Sequence, residues 1–158
     1  AADAVARGCA MLAETAAEPW LDSLPSIPQH GDLYLDNILS DRGRWHIVDW
    51  ESFGVIDIPF YDLFTLLISR LTVDGDTPGR WERSLVREVP RLVEGYAQRL
   101  QLPLEQARPL LPLTLANWFY LQWLDGRRRF AERMYGMAGD YFERTAAWER
   151  VFFGGTGA

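Results

Sequence analysis

His30-Gly31-Asp32-Leu33-Tyr34-Leu35-Asp36-Asn37-Ile38-Leu39, answered further along by Val48-Asp49-Trp50-Glu51, is the stretch on which the reading of this chain turns. Two short β-type runs lie inside it, Asn37 to Ser40 and Trp45 to Asp49, joined by Asp41-Arg42-Gly43-Arg44. Gly43 can take the positive φ of a tight turn, so the spacing predicts a hairpin. A turn on Arg42-Gly43 sets Asp41 opposite Arg44, which puts Asn37 opposite Val48 and Asp36 opposite Asp49.

In that register Asn37 and Asp49 are cross-strand neighbours, within ~4.5 to 8 Å directly or diagonally. An amide oxygen and a carboxylate at such a distance can share one hard cation. Magnesium favours oxygen ligands of this kind and keeps its other positions for water and phosphate. Asp32 precedes Asn37 in a loop that Leu33 and Leu35 can pin to a core, which sets its carboxylate beside the metal without making it a ligand. Like charges at ~5 Å repel by on the order of 1 to 3 kcal/mol at intermediate dielectric, and a divalent ion relieves that cost. The set suits phosphoryl transfer, in which metal ions neutralise phosphates while an aspartate orients the attacking hydroxyl and accepts its proton.

Composition bounds the rest. The 158 residues, 48% apolar and 24% charged, predict one globular unit over 1–158 with a dense aromatic core. No apolar run reaches the ~18 residues of a membrane span. Cys9 is the single cysteine, so neither an intrachain disulfide nor a thiolate zinc site is available. The start Ala1-Ala2-Asp3 does not read as a secretory signal and looks like a cut end; with the lone thiol it leads to an expected cytoplasmic location. All 16 basic residues are Arg, which rules out a Walker P-loop and its lysine. Residues 18–62 hold nine acids against Arg42 and Arg44, so the whole net charge of −6 is concentrated there. That face is unsuited to nucleic acid and suited either to a cation or simply to solvent.

Around the hairpin the pattern is helical. Val5, Cys9, Leu12 and Ala16 predict a helix over 3–18 closed by Pro19, and Pro25 and Pro28 hold 24–29 extended. From Pro59 onward, Phe60, Leu63, Phe64, Leu67 and Leu71 mark a buried helix, followed by a loop over 72–79. The stripe Leu85 to Leu100 predicts a helix bent or broken at Pro90. A long apolar helix through Leu115, Trp118 and Leu124 ends near Gly126, and one last helix through Met137, Tyr141, Thr145, Trp148 and Phe152 stops at Gly154-Gly155.

The sequence His-Gly-Asp, four residues, Asn, then a hydrophobic strand ending in Asp-Trp-Glu resembles the aminoglycoside phosphotransferase and choline kinase group, within the protein-kinase-like fold. The resemblance spans about 29–63. It implies Asp32 as catalytic base, Asn37 and Asp49 as magnesium ligands, and His30 as a brace of the catalytic loop. It further implies Leu39 and Val48 under the adenine of ATP, and Asp62 opening the next helix and bonding back to the loop. Asp57, in Ile56-Asp57-Ile58-Pro59, departs from the family's Gly-Asp-Pro and receives no metal role. The expected fold class is α+β, predominantly α: the C-terminal lobe of a kinase-like fold, whose N-terminal ATP-binding lobe with its lysine is missing here. The implied reaction passes the γ-phosphate of ATP, with Mg2+, to a hydroxyl of a small molecule, and the isolated chain is expected to be inactive or weakly active.

Blander readings stand beside these. Asp32, Asn37 and Asp49 suit turns and caps, Asp62 suits a helix N-terminus, and Arg127-Arg128-Arg129 suits a helix C-terminus or a contact with phosphate or nucleic acid. His46 reads as half-buried in mid-strand, Glu51 as solvated or in touch with substrate, and Trp118, Tyr120 and Trp123 as helix packing or a substrate platform. A non-catalytic binding or regulatory fragment and a metal-dependent phosphohydrolase are the competing functions.

Overall fold

The computed structural model describes residues 10, 12–71, 83–124 and 126–154. The first half of the helix expected over 3–18, the loop over 72–79 and Gly155 fall outside them. Residues 12–16 are helical, and Pro19 opens a 3-10 turn, Pro19–Ser23, rather than merely closing the helix before it. The chain then runs extended, bonding Ile27 N to Asp57 O (2.8 Å) and Gln29 N to Ile56 O (2.9 Å).

A 3-10 turn, Leu35–Asn37, leads into strand β1 (Ile38–Asp41), which pairs antiparallel with β2 (Arg44–Ile47). Asp41 faces Arg44, the register the turn chemistry demanded. Arg42 and Gly43 both have positive φ, 47° and 77°, as the mirror-image hairpin turns require. The strands are one or two residues shorter than expected at their outer ends. Asn37 closes the 3-10 turn and Asp49 adopts a left-handed conformation, so the ladder stops before Asp36 could face Asp49. Apart from the half-buried Ile38 both strands lie exposed, and His46 is exposed rather than half-buried.

Six helices follow among the described residues: α1 (Tyr61–Leu71), α2 (Arg83–Leu100), α3 (Leu104–Ala107), α4 (Leu110–Leu124), α5 (Arg128–Glu143) and α6 (Thr145–Phe153). Phe60 precedes α1 instead of belonging to it. Its φ is +72° and its carbonyl accepts the first helical bond, from Phe64 N at 2.8 Å. Its buried ring packs on Phe64 and Tyr96, which holds it in a conformation a bulky residue rarely adopts. Helix α2 runs unbroken through Pro90. The single last helix expected is two, because Arg144 leaves helical geometry (φ −131°, ψ 36°). Across that break Trp148 Nε1 donates to Asp140 Oδ2 at 2.7 Å and Thr145 Oγ1 to Tyr141 O at 3.0 Å.

Helix α4 is apolar on every side and lies against α5 and α1, while α2 packs on α6. Phe64 and Ile68, Val89 and Val93, Leu111, Leu115 and Trp118, and Trp148 and Phe152 make one continuous core from these helices. The molecule is thus mostly helical with one small antiparallel hairpin at its edge. Among the described residues no helix is long and apolar enough to cross a membrane.

Candidate active site

The loop carrying Asp32 is held from both sides. Asp62, in the first turn of α1, accepts His30 N on Oδ2 (2.6 Å) and Gly31 N on Oδ1 (3.0 Å). Gln29 completes the clasp by accepting Asp62 N on Oε1 at 3.2 Å. Charge-assisted bonds of this kind are roughly twice as strong as neutral ones. Thr65, one turn along α1, donates to Leu33 O at 3.0 Å. Helix α1 therefore fixes the backbone on both flanks of Asp32.

The hairpin holds the same loop from its other side. Asn37 is buried and its Nδ2 donates to Asp32 O at 2.8 Å, which directs the amide oxygen away from that carbonyl. Val48 N bonds Asn37 O at 3.0 Å, and His30 Nε2 lies 2.8 Å from Val48 O. With the proton on Nε2, His30 Nδ1 is left to accept Asp32 N at 3.4 Å, so one tautomer serves both contacts. The imidazole rests on Trp50, ring centroids 4.7 Å apart. Gly31 has φ +88°, and a Cβ there would stand 2.7 Å from Ser52 O, so the loop and the turn after β2 approach as closely as glycine permits.

Asp49 follows Val48 directly, at φ 65° and ψ 58°, and is exposed. Residues Asp32, Asn37, Asp62 and His30 are thus tied into one unit with Val48, and Asp49 is attached to it through the backbone. Leu39 pairs with His46 and shares by alternation a face with Val48; it stands exposed at the hairpin's edge. The electrostatics around Tyr34 report how the acids gather. Burial, most of all, and then the carboxylates of Asp32, Asp36 and Asp49 raise its phenol above the ordinary value, while Arg127 pulls the other way.

Asn37 and Asp49 are hard oxygen donors, fitting an ion that takes two protein ligands and fills its shell with water and phosphate. Among the described residues no three His, Cys, Asp or Glu side chains are grouped to cage a metal unaided.

Several participants were not legible in the sequence. A cavity of about 210 Å³ opens at Asp32, between Gly31, Glu51, Ser52, Val55 and Ile56 on one wall and Leu121, Gln122 and Arg127 on the other. Arg127 reaches across so that its Nη1 lies 3.8 Å from Asp32 Oδ2, a contact beyond simple complementarity to a helix end. Glu51 is exposed and lines the cavity, Trp118 is core, and Tyr120 and Trp123 are exposed. Asp57, outside the site, accepts Ser26 Oγ at 2.7 Å and serves the extended segment. No local spacing signals the bond of Gln29 to Asp62, the place of Gln122 on the cavity or the reach of Arg127 to Asp32, because each arises only in the tertiary fold.

A loop carboxylate is thus braced by a helix-borne aspartate, beside a hairpin flanked by Asn37 and Asp49. The model of the phosphotransferase enzyme family (APH) matches residues 2–110. The chain belongs to this family, and membership implies a kinase-like fold. No curated protein and no solved structure matches the chain.

Proposed function

We propose that this chain is the C-terminal, acceptor-side lobe of a kinase that transfers the γ-phosphate of ATP to a hydroxyl group of a small molecule. The observation that carries this is the double bracing of Asp32: α1 holds its loop through Asp62 and the hairpin holds it through Asn37, with the cavity opening at its carboxylate. Such fixation is what a positioned base needs, since proton acceptance is worth 10² to 10⁴ in rate only when its geometry is set beforehand.

Asp32 orients the acceptor hydroxyl and takes its proton as the phosphoryl group arrives. Asn37 and Asp49 would hold magnesium, which supplies neutralisation of the phosphate charge. Leu39 and Val48 offer an apolar floor to adenine, under an N-terminal lobe that completes the nucleotide site. The exposed apolar side chains around the hairpin, Leu39, Trp45, Ile47, Trp50 and Phe53, support such a cover. The test is Asp32→Asn in the complete protein. Turnover with Mg-ATP should fall by at least 10²-fold while ATP affinity changes less than about threefold; unchanged turnover refutes the assignment.

A further inference from the structure

The wall of the cavity opposite the hairpin holds an unsatisfied group. Gln122 is 4% exposed, lines the cavity, and its Oε1 meets no hydrogen-bond donor among the described residues. Buried carboxamides without a partner are uncommon and need a reason. Oε1 is enclosed as the side chain stands, and a half-turn of the last torsion would bring it to the cavity and enclose Nε2 in its place.

The end of α4 fixes Gln122 to Arg127. Arg127 N bonds Gln122 O at 3.0 Å, Gly126 N bonds Trp123 O at 3.1 Å, and Gly126 has φ +72°. That is the Schellman pattern, which locks the last turn of a helix to the residue two beyond it. Gln122 and Arg127 are presented as one rigid pair facing Asp32. Both lie beyond residue 110, where the family match ends.

We propose that Gln122 and Arg127 form the acceptor subsite, and that the acceptor is a small neutral polyol or sugar. One hydroxyl meets Asp32 while a second, able to donate or accept, meets the Gln122 amide. The proposal rests on the kinase reading for the role of Asp32, but the binding it describes does not. The charges select the class. An ammonium group reaching Gln122 would enter beside the guanidinium of Arg127, and an anion would meet Asp32 and Glu51 in the same small space. A neutral hydroxyl satisfies the amide without either conflict, and Val55, Ile56 and Leu121 offer apolar surface to the carbon skeleton.

The experiment uses the complete protein with two readouts. Calorimetric binding without ATP, and phosphate transfer with Mg-ATP, are measured for glycerol, myo-inositol, D-ribose and D-glucose against D-glucosamine, choline and D-gluconate. The expected result is that a neutral polyol binds best and is phosphorylated with the highest kcat/KM. Gln122→Leu should weaken its binding and raise its KM at least tenfold, leave the KM for ATP within twofold, and unfold at the same or a higher temperature, because an orphaned amide is removed. A purely structural glutamine would instead lower the unfolding temperature and leave acceptor KM alone. Gln122→Glu keeps an oxygen acceptor and adds charge, so it should retain binding and move preference toward D-glucosamine. Preference of the unmodified protein for a charged acceptor, failure of every neutral polyol to bind, or an acceptor KM indifferent to Gln122→Leu overturns the proposal. Polyol binding that depends on Gln122 without phosphate transfer to any acceptor would sink the kinase reading and leave the subsite standing.

Discussion

Gly31 shows how one missing side chain sets a site's dimensions. Its positive φ already penalises any Cβ, and the 2.7 Å approach to Ser52 O leaves that Cβ nowhere to go, since the obstacle is backbone. Gly31→Ala must either push the turn after β2 outward or tilt the peptide that Asp62 grips. The strained φ alone costs about 1 to 3 kcal/mol, and the clash adds to it. Urea unfolding of Gly31→Ala should show that loss; a stability within 0.5 kcal/mol of the parent, about the scatter of ordinary surface substitutions, would mean that the approach is softer than the geometry implies. At this scale the sequence was legible where a motif sets position: His30, Asn37 and Asp62 meet around the Asp32 loop, as spacing and a family resemblance led one to expect. It was silent on Gln122, and it offered Arg127 only as one of three arginines after a helix. Nothing around Gln122 distinguishes a buried amide with no partner from any other polar residue in an apolar helix.

Elements were legible where local chemistry sufficed, and misread where tertiary packing prevailed. Gly43 dictated the hairpin turn and Gly126 the end of α4, both through positive φ. Pro90 suggested a bend or a break, yet α2 is not broken there, and Val89 and Val93, on either side, are both buried in the core. The opposite happened at Arg144, where an apolar period runs on but the backbone leaves helical geometry, and Trp148 bonds Asp140 across the break. An interior proline forfeits a backbone bond and crowds the carbonyl four residues earlier, a cost of up to about 3 kcal/mol relative to alanine. Pro90→Ala should therefore raise the urea midpoint by the equivalent of about 1 to 3 kcal/mol, part of the gain being offset by greater freedom in the unfolded chain. A lower midpoint would show that the ring's own packing outweighs its helix penalty.

Over the whole molecule, burial is distributed unevenly: the helical body is dense, while the hairpin carries Trp45 at 73% exposure and has little beneath it. Two strands alone are marginal in water, so the site's hairpin side draws its order from the loop bonds to α1 and His30. The dense side has its own signature in its tyrosines. Burial raises the phenols of Tyr61 and Tyr141 well above the ordinary 10, with Asp32 and Asp62 adding to the rise at Tyr61 against the Asn117 side chain, and Glu149 adding to it at Tyr141 against Arg108. In the unfolded chain both ionise near that ordinary value. Above it the unfolded state has shed protons that the folded state still holds, so stability that is intact below about pH 10 drains as pH climbs toward the folded values. The slope is at most about 1.4 kcal/mol per pH unit for each tyrosine. Phenolate absorbance followed together with helical circular dichroism should show these two rings ionising only as the helices melt. Tyr61→Phe and Tyr141→Phe should each make the alkaline loss of stability shallower. If either substitution removes a phenolate signal that develops while the helices are intact, that ring is open to water, and the core does not close over it as the packing of α1, α4, α5 and α6 requires.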